Sequence, residues 1–277
     1  MTTANDAKIS ILTVRLINTN FNTTIGTGIL YSQKNLGDWI YIITAAHCLF
    51  SDGDSFQNIL SEINVDLYDS KSNSYKTLTC RVQEKLLFKD KDKDLAILCI
   101  EKQQIEKLIA TPPCVPIIKE RHNFHNFVIK GFPNATEGKE LAALYPIWIQ
   151  NMTEVNKFQL QLTDDYNEWA TKGFSGSGVF LETNGEVYLY GIFTRFRPED
   201  KGRVIYCQFI ESLNELLDSN FLPLITFSYL GDYGLTQSYF QNHIEKSIEN
   251  LGGRYDKKLN FKLPLLNGLA ILPWMEI

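Results

Sequence analysis

The chain has 277 residues, 44% of them apolar and 21% charged, and a formal net charge of −5. That is ample material for a hydrophobic core, with the mixed charge of an ordinary soluble protein, and it lacks the concentrated basic surface that nucleic acid requires. No apolar run reaches the roughly 20 residues of a membrane span, and residues 1–6 carry no basic and apolar leader, so neither a membrane partner nor secretion is expected and the location reads as cytoplasmic.

Residues 9–16, rich in Ile, Leu and Val, predict a first strand. Residues 26–31 and 39–43 predict a hairpin around the turn at 32–38, and strands follow at 63–68, 78–83 and 95–100. Six short strands before residue 105 suffice for one small antiparallel barrel. Within this half, Thr44-Ala45-Ala46-His47-Cys48 places an imidazole where an apolar strand gives way to a turn. Lys93-Asp94-Leu95-Ala96-Ile97-Leu98 places a carboxylate directly before the sixth strand. Asp90 and Asp92 compete with Asp94, but Asp94 adjoins the buried strand, where a fixed carboxylate belongs. The lysines at 85–93 are interleaved with acids and read as a solvated loop.

Residues 101–120, with Pro112, Pro113 and Pro116, read as a connector. A second series follows at 126–130, 144–150, 158–163, 177–182, 187–193 and 203–208, with Asn184-Gly185 as a hairpin turn. Residues 210–217 have helical spacing, and 234–251 predict an amphipathic helix stopped by Gly252-Gly253. The expected fold is all-β: two antiparallel six-stranded barrels, about 8–105 and 121–208, within a domain spanning 1–222. A C-terminal helix ends that domain, and a helical tail over 223–277 follows.

The second half also contains Gly173-Phe174-Ser175-Gly176-Ser177-Gly178. A histidine base, an orienting carboxylate and a hydroxyl that needs such a base make one nucleophilic set: His47, Asp94 and Ser175. The glycines let the backbone turn tightly, so that the amides of Gly173 and Ser175 point at one spot as an oxyanion hole. Cys48 is set aside as a rival nucleophile because adjacent residues on such a turn point apart. His122 and His125 have H-x-x-H spacing but no third ligand, and read as a surface loop. His243 reads as part of a solvated helix face. No metal and no cofactor are expected.

On these three motifs, in the order His, Asp, Ser, the chain resembles the trypsin/chymotrypsin family of serine proteases, in the style of bacterial intracellular, trypsin-2-like members, over about residues 8–220. The resemblance implies a chymotrypsin-like double barrel, a protein or peptide substrate and the catalytic roles just given. It also implies a substrate pocket based near Trp169 and walled by Thr194-Arg195-Phe196. There Arg195 is suited to an acidic side chain, whereas Glu168 favours the opposite, so the primary preference stays open. Phe174 stands where zymogen-activated members carry an aspartate, and no Ile-Val-Gly-Gly-like activation site is present. Activation by N-terminal clipping is therefore not expected.

Secreted relatives pair the cysteine after the histidine with one at the start of the preceding hairpin, but Gly26-Thr27-Gly28-Ile29-Leu30 offers Cys48 no such partner. The five cysteines are expected to stay reduced, and the three Asn-x-Thr sequons to carry no sugar. The string E-N-L-G-x-R-Y-x-x-x-L-N at 249–260 resembles the connector that joins effector domains to the nucleotide-binding core in bacterial STAND-type defence proteins. That core is absent, since no G-x-x-x-x-G-K-[ST] occurs. The resemblance implies a sensor or NTPase module, or an oligomeric platform, as a partner through 223–277. The alternative is a catalytically silent protease-fold binding module.

Overall fold

The computed structural model describes residues 4–119, 124–151, 156–163, 171–183, 185–196 and 203–229. The chain divides into two units, Met1–Tyr229 and Leu230–Ile277, and the second lies outside the described residues together with the helix expected at 234–251.

Six strands form the first sheet: β1 (Thr13–Asn18), β2 (Thr23–Tyr31), β3 (Trp39–Thr44), β4 (Glu62–Asp69), β5 (Ser74–Arg81) and β6 (Ala96–Glu101). Their order is β5-β4-β1-β2-β3-β6, with every neighbouring pair antiparallel. β3 is buried along almost its whole length, while β5 alternates between more and less exposed positions, the pattern of a strand with one wet face.

The second sheet contains β7 (Ile117–Ile118), β8 (Phe127–Gly131), β9 (Ala142–Leu144), β10 (Ile147–Asn151), β11 (Lys157–Gln161), β12 (Gly178–Thr183), β13 (Glu186–Phe196), β14 (Val204–Gln208) and β15 (Phe227–Ser228). Its main path runs β10-β11-β14-β13-β12-β8-β9, antiparallel throughout, while β7 lies parallel to β13 and β15 parallel to β7. Trp148 stacks between Phe127 and Phe158, with Tyr190 set edge-on to Trp148 and Phe158, and this aromatic cluster fills the sheet's interior. Two curled antiparallel sheets with few helices make the double β-barrel that the strand pattern predicts.

Local differences from the sequence reading have physical causes. Residues 9–12 belong to a helix, α1 (Ala4–Leu12), whose Ile9 and Leu12 lie three apart and are fully buried. The strand expected at 144–150 is broken at Pro146, which has no N–H to give a ladder, and becomes β9 and β10. The second sheet gains the short strands β7, β9 and β15, and so has nine strands rather than six. The connector also holds a short helix, α2 (Lys102–Glu106). The helix expected at 210–217 is α3 (Leu213–Ser219), with Leu213 and Leu217 buried one turn apart.

After α3 the chain runs back over the first sheet. Tyr41 Oη donates to the Pro223 carbonyl at 2.7 Å, and Asn35 Nδ2 to the Leu224 carbonyl at 2.8 Å. The Asn214 amide clasps Ile225 at both its N–H and its carbonyl, each at 2.9 Å.

Candidate active site

Register brings His47 and Asp94 together. β3 pairs with β6 so that Thr44 faces Ala96 at the end of the ladder. Beyond Thr44 the chain makes the 3-10 turn Ala46–Leu49 that carries His47; before Ala96 it makes the 3-10 turn Lys91–Lys93, which the Asp90 carboxylate caps through the Asp92 N–H at 2.9 Å. Asp94 follows that turn and is fully buried. Its Oδ1 accepts the His47 backbone N–H at 2.9 Å, and its Oδ2 lies 2.7 Å from His47 Nδ1. One carboxylate therefore fixes both the main chain and the ring of the histidine, with the Nδ1 proton on the Asp94 side.

The electrostatics follow from this pairing. Burial alone would raise the Asp94 carboxyl, but the charge and hydrogen bonds of His47, aided by Arg195, outweigh it and hold the group below its ordinary range. For His47 burial opposes the charged ring, yet Cys48 and Asp94 raise it by more, so the imidazole lies well above its ordinary value.

Ser175 sits on a loop that only glycine can build. Gly173 has φ 107° and Gly176 φ 86°; a Cβ on the first would come 2.2 Å from the Phe132 carbonyl oxygen, and on the second 2.0 Å from that of Thr27. Among the described residues, neither the Gly173 nor the Ser175 N–H finds a hydrogen-bond acceptor. The Ser175 hydroxyl donates to the Thr194 carbonyl at 3.0 Å, and His47 Nε2 lies 3.7 Å from Cys48 Sγ, so these adjacent side chains meet rather than point apart as the turn predicts. The Asp–His contact is thus formed, while the serine hydroxyl is turned towards β13.

Thr27 and Asp54 enter the site without any signal in the motifs. Thr27, in the middle of β2 and fully buried, donates its hydroxyl to the Gly173 carbonyl at 2.7 Å and accepts the Phe132 N–H at 3.1 Å. Its backbone N–H donates to the Ser175 carbonyl at 2.8 Å. Asp54, on the 3-10 turn Gly53–Ser55, lies 4.0 Å from His47 Nδ1 and 3.8 Å from Arg195 Nη1.

The residues expected to wall a pocket are placed as follows. Thr194 is buried, with its hydroxyl on the Tyr206 carbonyl at 3.0 Å. Phe196 packs edge-on against Phe193, with ring centroids 4.9 Å apart. Arg195 Nη2 reaches Asp94 Oδ2 at 3.2 Å. Trp169 and Glu168 lie outside the described residues, as do His122 and His243; His125 is exposed. Phe174 is buried, its ring against Gly131. Among the described residues, the grouping of His, Cys and acidic side chains tight enough to share an ion is His47, Asp54 and Asp94, and there the Arg195 guanidinium already provides the positive charge.

The trypsin family model matches residues 12–214. The chain belongs to the trypsin family. It is similar in structure to a thermostable serine protease, AL20, from an extremophilic microorganism, with a TM-score of 0.52 and 15% identity over 75% of this chain and 95% of that one. The serine endoprotease of Yersinia pestis gives a TM-score of 0.49 and 20% identity, covering 79% of this chain and 67% of that one. The inactive form of the Rv3671c protease of M. tuberculosis gives 0.49 and 14%, covering 78% and 92%. No curated protein sequence matches the chain. Among the described residues, no helix of this trypsin-family chain is long and apolar enough to cross a membrane.

Proposed function

We propose that this trypsin-family chain is a serine endopeptidase that cleaves protein or peptide substrates through an acyl-enzyme. Ser175 rotates about χ1 from the Thr194 carbonyl towards His47 and attacks the scissile carbonyl, while His47 Nε2 takes its proton. Asp94 holds the Nδ1 proton and stabilises the imidazolium. The oxyanion of the tetrahedral intermediate accepts hydrogen bonds from the N–H groups of Gly173 and Ser175, interactions worth about 3 kcal/mol or more. His47 then gives its proton to the leaving amine, and water, deprotonated by the same base, releases the acyl group.

The observation that supports this reading is the fully buried Asp94 bound twice by His47, in a chain whose Ser175 sits on a loop built by Gly173 and Gly176. A fluorophosphonate probe should label the wild-type chain and leave Ser175→Ala unlabelled. A folded wild-type chain that resists the probe both alone and in the lysate that holds its partners would favour the silent binding module.

We assign control of this activity, in the cytoplasm, to a partner acting through residues 223–277. Phe174 offers no carboxylate for a new N-terminus, so another contact must set the loop. The resemblance of 249–260 to STAND connectors supports a sensor or NTPase partner, and bacterial defence as the setting.

A further inference from the structure

Arg195 stands at an irregularity in β13. The pairing of β13 with β14 runs Phe193 to Cys207 and then Arg195 to Tyr206, so Thr194 is the extra residue of a bulge. Bulges re-aim the side chains that follow them. Here the Thr194 carbonyl meets the Ser175 hydroxyl, and the Arg195 guanidinium turns to the carboxylate behind His47. Nη2 lies 3.2 Å from Asp94 Oδ2, the same oxygen that faces His47 Nδ1 at 2.7 Å. Nη1 is steadied by Asp54 at 3.8 Å.

We propose that Arg195 is a positioning residue for the reaction: by sharing Asp94 Oδ2 with His47 it limits how strongly the carboxylate holds the imidazolium, and so sets the acid limit of activity. The inference rests on the protease reading for its consequence but on geometry for its substance. An oxygen that accepts from two donors serves each less well, and two cations meeting at one oxygen repel. Arg195 is charged at every working pH, so its presence acts constantly against protonation of His47. The charged or titratable groups facing His47 are Cys48 on its own turn, Asp54 on the following turn, Asp94 before β6 and Arg195 on β13. Asp92, close by, is engaged by Lys157 at 2.7 Å. Arg195 is thus the one cation in that set among the described residues.

The test is an NMR titration of the His47 ring nitrogens in the full chain carrying Ser175→Ala, which removes self-cleavage and needs no turnover. Neutralising Arg195 as Arg195→Gln should move the His47 midpoint up by about one pH unit, in keeping with the loss of a like charge nearby. Arg195→Met, which keeps the stem, should agree; Arg195→Lys, which keeps the charge, should stay near wild type. With Ser175 restored, the acid limb of kcat/KM should move up with the midpoint, lowering activity about tenfold on that side. A midpoint unmoved in both neutral variants, or moved equally by Arg195→Lys, would overturn the proposal. Because the titration does not depend on catalysis, a shifted midpoint supports the role of Arg195 even in a chain whose Ser175 resists the fluorophosphonate probe.

Discussion

Thr27 Oγ1 is a single buried hydroxyl with two obligations, the Gly173 carbonyl and the Phe132 N–H. Thr27→Val keeps the shape and strands both partners without water, at a cost of about 1–3 kcal/mol. Gly173 also supplies, through the neighbouring peptide, the N–H proposed to face the oxyanion, so kcat should fall more than KM rises; unchanged kcat with normal thermal stability would count against that coupling. The titrations at the site run in opposite directions. The Asp94 carboxyl is depressed in the folded chain, so its contribution to stability is present above the ordinary Asp value of about 3.9 and lost as pH falls through the lower native one. The His47 imidazole is raised, so its contribution is complete below about 6.5 and lost as pH rises through the native value. Catalysis needs neutral His47, so the acid limb of kcat/KM should lie above about 6.5. A limb at or below that value would contradict the raised imidazole.

At the scale of elements, α1 is held by Lys130 of β8. The buried ammonium pairs with the Asp6 carboxylate and donates to the Asp6 carbonyl at 3.0 Å and to Ser10 Oγ at 2.7 Å. Lys130→Met should cost about 1–3 kcal/mol, the lower end being favoured because Asp6 is partly exposed, and so lower Tm by several degrees. An unchanged melting curve would show that the Lys130 contacts add nothing to what the burial of Ile9 and Leu12 already provides. This helix is also where the sequence was least legible. A run of β-branched and leucine residues scores as strand, and the lysine that stabilises the helix lies more than a hundred positions away. The loop around Ser175 was legible for the converse reason, since its constraint is local and shows as glycine. Asp94 could be preferred over Asp90 and Asp92 because strand register is local too. Thr27, Asp54 and the turning of Arg195 towards Asp94 depend on contacts between distant segments, and nothing in their neighbours announces them.

Across the whole molecule all five cysteines are free: Cys48, Cys80 and Cys207 buried, Cys99 half-buried and Cys114 exposed. Burial pushes the Cys80 and Cys99 thiols up to about 12, leaving almost no thiolate at neutral pH. A thiol reagent should modify Cys114 quickly in the native protein and all five cysteines in denaturant; two or more fast native thiols would argue against this packing. A Cβ added at Gly26 would lie 2.5 Å from Cys48 Sγ and 3.1 Å from Cys48 Cβ. Disulfides place those two Cβ atoms about 3.5–4.5 Å apart, so a small outward adjustment would permit covalent closure of a loop of about 20 residues, a tether worth roughly 3 kcal/mol. The same Cβ would stand 2.9 Å from the Ser175 carbonyl oxygen. Gly26→Cys would therefore make the chain's robustness and turnover answer to redox conditions: tougher and slower when oxidised, softer and faster once a reductant opens the tether.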